Sequence, residues 1–176
     1  SPTNKIHNDW RSRRYTNRVD SDRSMTGDCN DKSSTIPFAQ IYDKTLVSIR
    51  DCIAIQKETS NQSKVVFVDG SWYHRADPST GLFRNPSQEY INGPRPNARY
   101  LDIDAIATNE LFPELNPKGL PHMMPPSRLF SLAMDAYDIQ NQDHVIIYAR
   151  RGALFTPRVW FLFISMGHNN KKVHLM

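Results

Sequence analysis

Val145–Gly167, VIIYARRGALFTPRVWFLFISMG, is a short apolar run, a compact loop and the pattern of a helix that starts abruptly. Val145, Ile146, Ile147 and Tyr148 have strand length, β-branched side chains and no polar alternation, as expected of a central parallel strand covered on both sides. Thr156 offers an oxygen for an N-cap. Pro157 suits the first helical position, where a missing N–H costs nothing. The helix is expected to run to about Met166 and to stop at Gly167, which tolerates the left-handed conformation of a C-cap. Between strand and helix lies Ala149–Phe155, with Gly152 in its middle. A short loop feeding a helix N-terminus turns backbone N–H groups toward one point, and the helix dipole adds partial positive charge there. The loop therefore reads as an anion cradle, its sign reinforced by Arg150 and Arg151.

The cradle has no attacking atom. A nucleophilic enzyme on this scaffold needs a Cys, or less often a Ser, inside the loop, where converging dipoles favour the thiolate. Ala149, Arg150, Arg151, Gly152, Ala153, Leu154 and Phe155 include neither.

The remainder of the chain sets the frame. At 176 residues it fits one domain with a tail and can bury a sizeable core. The formal charge of +4 is small, and bases are interleaved with acids, which argues against a nucleic-acid partner. No apolar run approaches membrane-spanning length. Cys29 and Cys52 lie in unlike contexts, so neither a disulfide framework nor a metal site is implied, and no cofactor motif is present. An intracellular, soluble protein is expected.

Residues 1–35 differ from the rest. Arg11, Arg13, Arg14, Arg18 and Arg23 sit among Asn, Ser, Thr and Asp, with few apolar side chains to offset the entropy of ordering. A basic, disordered extension is expected. An organelle-targeting peptide is the competing reading, and Asp9, Asp20, Asp22, Asp28 and Asp31 count against it. Trp10 and Tyr15 are candidate anchors on a partner.

The folded domain is expected over 36–176. Leu46 and Val47 suggest a short strand, and Ser48 with Asp51 a helix start. Cys52 on that helix reads as a small core residue. Val65–Val68 form a second apolar strand, ended by Asp69, Gly70 and Ser71. The carboxyl ends of parallel strands are where α/β sites are built, which singles out Asp69. Asn85 and Pro86 open a short helix that closes at Gly93. Ala98–Leu101 reads as a strand ended by Asp102 and Asp104. After a long loop, Ser127 is expected to cap a helix whose Phe130, Ala133, Met134 and Tyr137 make one apolar core stripe. Val173–Leu175 starts a further strand. Strands alternating with helices imply an α/β fold with a parallel sheet covered on both faces.

Four motifs in order carry a resemblance: VVFVDGSWY, GPRPNARYLDID, LPHMMPPSRLFSLAM, and DHVIIYARRG with FTPRVWFLFISMGH. Over about Thr45–Met176 they resemble the amino-terminal, non-catalytic domain of the two-domain rhodanese family, the thiosulfate and 3-mercaptopyruvate sulfurtransferases. The resemblance implies a rhodanese-like fold, a parallel sheet of about five strands between helices. It also implies that the persulfide-forming Cys belongs to a second domain, in keeping with the nucleophile-free loop here. The chain departs from the family where Gly93–Ala98 replaces the usual GHIPGA, in a longer loop between Asp104 and His122, and in Ala149 where an Asp is usual. It also stops where the family continues, so its carboxyl end reads as truncated. In the mercaptopyruvate branch, the Asp ending the DID motif and the His of the PHM motif orient a Ser from the other domain; Asp104 and His122 stand at those positions. A structural His packed against Met123 and Met124 is the alternative.

Two functions follow from the resemblance. The chain is half of a sulfurtransferase, partnered by the missing catalytic rhodanese domain, or it is a stand-alone inactive module that contacts other protein subunits. A phosphatase on this fold fails, since those relatives also need a loop Cys. Mitochondrial residence is the family expectation.

Overall fold

The structure, a computed structural model, describes residues 44–59, 63–93, 98–108 and 112–176. The expected extension over 1–35, the domain start at Ile36, Cys29 and the departure at 94–97 lie outside the described residues.

Among the described residues, four parallel strands form the sheet: β1 (Val65–Asp69), β2 (Ala98–Tyr100), β3 (His144–Tyr148) and β4 (Val173–Leu175), in the order β2-β1-β3-β4. Every residue of β3 is buried, which explains its lack of polar alternation. About five strands were expected; the fifth position is held by a single parallel bridge from Leu46 to Leu175. There Val47 N–H donates to the Leu175 carbonyl at 2.8 Å and Leu175 N–H donates to that of Thr45 at 2.7 Å. The segment does not lengthen into a strand because α1 (Ile49–Glu58) begins two residues later. Ser48 starts that helix as expected, its hydroxyl accepting from Asp51 N–H while Asp51 accepts from Ser48 N–H. Those bonds hold the Asp51 carboxyl below its usual range.

Strand periodicity sorts the core into two faces. Val66, Val68, Val145 and Ile147 point to one, where they meet Phe130 and Met134 of α4 (Ser127–Ala136) and Val159, Leu162 and Phe163 of α5 (Thr156–Ser165). Ile146, with Val65 and Phe67, points to the other, which α1 covers through Cys52 and Ile55. Cys52 is thus a core residue, as expected, and burial pushes its thiol pKa up. The stripe expected on α4 is present, with Ala133 and Tyr137 partly buried beside Phe130 and Met134.

The local signals held in part. α2 (Pro86–Asn92) is capped by Asn85, whose side chain accepts from Gln88 N–H, and it closes at Gly93. At the end of α5, Gly167 has φ +90°, its N–H donates to Ile164 and that of His168 to Phe163, the paired bonds of a glycine-terminated helix. Two expected caps are corrected. Ser127 and Thr156 are the first residues of their helices, preceded by Pro126 and Phe155, and no side-chain cap is made at either. The entry angle is set instead by the fixed φ of Pro126 and by packing of Phe155 on Trp72. Asp102 does not simply end β2. It caps a one-turn helix, α3 (Ile103–Ile106), accepting from Asp104 and Ala105 N–H while Ile103 and Ile106 are buried.

Candidate functional site

The site lies at the carboxyl end of the sheet, where the turns after β1 and β3 are laced together. Asp69, fully buried, accepts from Arg150 Nε at 3.1 Å on one oxygen and from Ser71 N–H at 3.1 Å on the other. Gly70 N–H donates to the Tyr148 carbonyl at 2.9 Å, and Arg150 N–H to Ser71 Oγ at 2.8 Å. Gly70 also lets α5 approach: a Cβ there would sit 2.9 Å from a methyl of Val159. The VDGS motif is therefore a clasp whose members each fix a different neighbour.

The three loop residues named from the sequence have separate surroundings. Arg150 is an internal strut, bound to Asp69 and, through Nη2, to the Gly93 carbonyl at 3.1 Å. Arg151 is exposed, and its carbonyl accepts from Arg84 Nη1 at 2.5 Å. Gly152, at φ +86°, turns the loop, with Ala153 N–H bonded back to the Arg150 carbonyl at 3.0 Å. Arg84, from the loop between β1 and α2, joins them. Its guanidinium makes two bonds to Glu89, at 2.6 and 2.7 Å, and lies 4.0 Å from the centre of the Tyr73 ring. The Arg84 bonds hold the Glu89 carboxyl below its usual range. Burial, with the hydrogen bond to Glu89, pushes the Tyr73 phenol up to about 12.

Asp104 and His122 are brought together. Asp104 stands on α3, and His122 lies at the far end of the long loop, whose ends an antiparallel bridge between Thr108 and Met123 closes. Buried Asn116 staples the loop from within: its amide N–H groups donate to the carbonyls of Thr108 and Leu120, and its oxygen accepts from Leu120 N–H. Across the closed loop, His122 Nδ1 donates to Asp104 Oδ1 at 2.5 Å. Trp72, the next residue after the clasp, donates through its indole Nε1 to Asp104 Oδ2 at 2.8 Å. Its ring meets His122 edge-on at 4.7 Å and Phe155 at 4.5 Å. Arg158 Nη2 donates to the His122 carbonyl at 2.5 Å. The Asp104 side chain is about half exposed and that of His122 30% exposed, so the imidazole faces a carboxylate and solvent. Met124, by contrast, packs on the core. With Nδ1 donating to the carboxylate, the neutral ring keeps Nε2 as an acceptor, the form that can receive a proton from a hydroxyl or thiol placed against it.

No family model matches the chain. The probable 3-mercaptopyruvate sulfurtransferase of Schizosaccharomyces pombe is 34% identical over 116 residues, 66% of this chain and 35% of the relative. The mitochondrial thiosulfate/3-mercaptopyruvate sulfurtransferase 1 of Arabidopsis thaliana is 34% identical over 101 residues, 57% of this chain and 24% of the relative. The solved structure of SseA from Escherichia coli, reported for the rhodanese fold and mechanism of 3-mercaptopyruvate sulfotransferases, superimposes with a TM-score of 0.56 at 25% identity. That match covers 75% of this chain and 44% of SseA. The fold is the rhodanese fold. The homologues of this chain are 3-mercaptopyruvate and thiosulfate sulfurtransferases, and the chain spans about a third or less of the length of the curated relatives quoted.

The sequence does not single out the residues that tie the site together: Ser71, Trp72, Tyr73, Arg84, Glu89 and Asn116. Trp72 carried a usable signal, since it immediately follows the turn at a strand's carboxyl end. The Arg84–Glu89 pair carried none, because charges five apart across a loop and a helix start look like solvated surface. Among the described residues, no group of three or more His, Cys, Asp or Glu side chains could hold a metal ion, and no helix is long and apolar enough to cross a membrane.

Proposed function

We propose that this chain is the non-catalytic, amino-terminal type of rhodanese domain from a thiosulfate/3-mercaptopyruvate sulfurtransferase. The intact enzyme moves sulfane sulfur to a thiophilic acceptor, such as cyanide or a thiol, through a Cys persulfide on its other domain. One observation carries the reading: an ordered, half-open Asp104–His122 pair stands beside a rhodanese loop that has no nucleophile. An imidazole oriented by a carboxylate has a use only when a hydroxyl or thiol is brought to its free nitrogen. In this reading the catalytic rhodanese domain supplies that group, and His122 orients it or takes its proton. The Cys thiolate then attacks the donor sulfur. Thiosulfate releases sulfite with the electron pair of the broken S–S bond, and 3-mercaptopyruvate releases pyruvate after its C–S bond breaks and the carbon gains a proton. Leu82, Phe83 and Leu154, each 70% or more exposed, supply apolar surface near Arg84 and the Arg150 loop for the partner domain to cover. Mitochondrial residence is the location proposed, because the Arabidopsis relative is mitochondrial.

The second reading, an inactive module docked on other subunits of an assembly, rests on the same apolar rim. Adding a catalytic rhodanese domain in trans separates the two. Sulfur transfer to cyanide should rise at least about tenfold over that domain alone, and His122→Asn should remove most of the gain. No gain at saturating chain overturns the sulfurtransferase reading. The chain alone, incubated with thiosulfate, should keep an unmodified mass, with no persulfide on Cys29 or Cys52.

A further inference from the structure

The Asp104–His122 pair cannot hold itself in place. Asp104 is on a one-turn helix, His122 is in a long loop, and both side chains reach solvent. A carboxylate accepts on two oxygens and an imidazole ring can turn over, so a pair of this kind needs a third group to select one arrangement. The bond to the His122 carbonyl from Arg158 fixes the backbone and leaves the ring free to rotate.

We propose that Trp72 is the positioning residue of this pair, selecting the Nδ1–H form of His122 by occupying the second oxygen of Asp104 and standing edge-on against the imidazole. The inference rests on the sulfurtransferase reading for its purpose, while its geometry stands independently. The indole N–H at 2.8 Å takes Asp104 Oδ2, leaving Oδ1 for His122 Nδ1. The indole ring, 4.7 Å from the imidazole at 78°, blocks the turn that would bring Nε2 to the carboxylate. Phe155 backs the indole at 4.5 Å and 81°. Trp72 is itself anchored by its chain neighbours: Ser71 is buried, bonded to Asp69 and accepting from Arg150 N–H. Rigidity thus passes from the buried ends of β1 and β3 to a solvent-facing imidazole in three residues. Because Phe155 closes the loop after β3, the same contact links the pair to the anion-type loop.

The test reads the tautomer directly. In the full chain with 15N-labelled histidine, at a pH where His122 is neutral, its ring nitrogens report an Nδ1–H form, with the Nε2–H form below about a tenth. Trp72→Phe keeps an aromatic ring and deletes the donor. It should raise the Nε2–H fraction to more than about half, the preference of an unconstrained imidazole, while the signals of buried His144 and His174 stay native. Phe155→Leu, which removes the backing and leaves the donor, should move the His122 signals in the same direction by a smaller amount. If Trp72→Phe costs too much stability, that second variant decides. A His122 tautomer unchanged in every variant that retains native buried-histidine signals overturns the proposal. With the catalytic domain in trans, Trp72→Phe should lower kcat about tenfold and leave KM unchanged. Absence of any turnover in that assay would count against the sulfurtransferase reading alone, because the tautomer is measured without it.

Discussion

Histidine is used in opposite ways at the two ends of the sheet. At the carboxyl end, His122 is partly open to solvent and bonded to a carboxylate. Around the amino end of β3, His144, His168 and His174 are buried, and the bonds of two of them run to backbone carbonyls. His174 Nδ1 donates to that of Lys44 at 2.8 Å, and His168 Nε2 to that of Asp143 at 3.0 Å. The His144 and His174 rings stack at 5.7 Å and 6°, their facing nitrogens 3.4 Å apart. Burial lowers the pKa of all three, that of His144 to about 4. A carbonyl satisfies a neutral imidazole N–H but does little to offset the desolvation of a cation. One end of the sheet therefore uses imidazole as buried neutral filling, and the other holds it against a carboxylate at the surface.

The sharpest way to break that contrast acts on the ion pair beneath the site. Arg150→Ala should leave Asp69 buried without its cation, at a cost of about 3 kcal/mol or more in urea unfolding, while exposed Arg151→Ala stays within about 0.5 kcal/mol. Equal effects would mean that Arg150 is not an internal strut. Acid probes the other end. The folded-state pKa values of the buried histidines lie below the unfolded value of 6.5, so the unfolded chain takes up protons first. Their stabilising effect is complete above pH 6.5 and is lost as pH falls toward about 4, with His144 accounting for about 3 kcal/mol. His144→Phe should flatten stability between about pH 6.5 and 5, a range in which most carboxylates stay ionised. An unchanged slope would remove His144 from the account. The smallest effect is at Gly70, where an added Cβ meets Val159; Gly70→Ala should cost about 1–3 kcal/mol by thermal unfolding. A neutral result would show that α5 can withdraw without loss.

Much of the fold was legible because it depends on near-neighbour chemistry. The uninterrupted Val145–Tyr148 run, the Ser48–Asp51 box and the Asn85–Pro86 start each produced the expected element. Ser127 and Thr156 misled because a hydroxyl at a helix start is a cap only if the incoming chain leaves it at the right position, and the fixed φ of Pro126 and the packing of Phe155 on Trp72 place each one residue inside its helix. Asp104 and His122 could be named only through the resemblance. Nothing within either motif says that a bridge from Thr108 to Met123 and a stapling Asn116 will close the loop between them. Arg150 illustrates the same limit. Its place beside a helix start reads as charge for an anion, and only the fold shows Asp69 from the neighbouring strand waiting beneath it.

His122 has φ +55°, in the left-handed region that side-chain-bearing residues seldom occupy and that Asn tolerates best after glycine. Alanine scanning would therefore misread this position. Alanine would delete the imidazole and keep an unfavourable backbone, mixing a chemical loss with a conformational one, and glycine would relieve the backbone while removing the ring. Asparagine separates the two, because it accepts the same dihedral angles at low cost and has no nitrogen able to shuttle a proton.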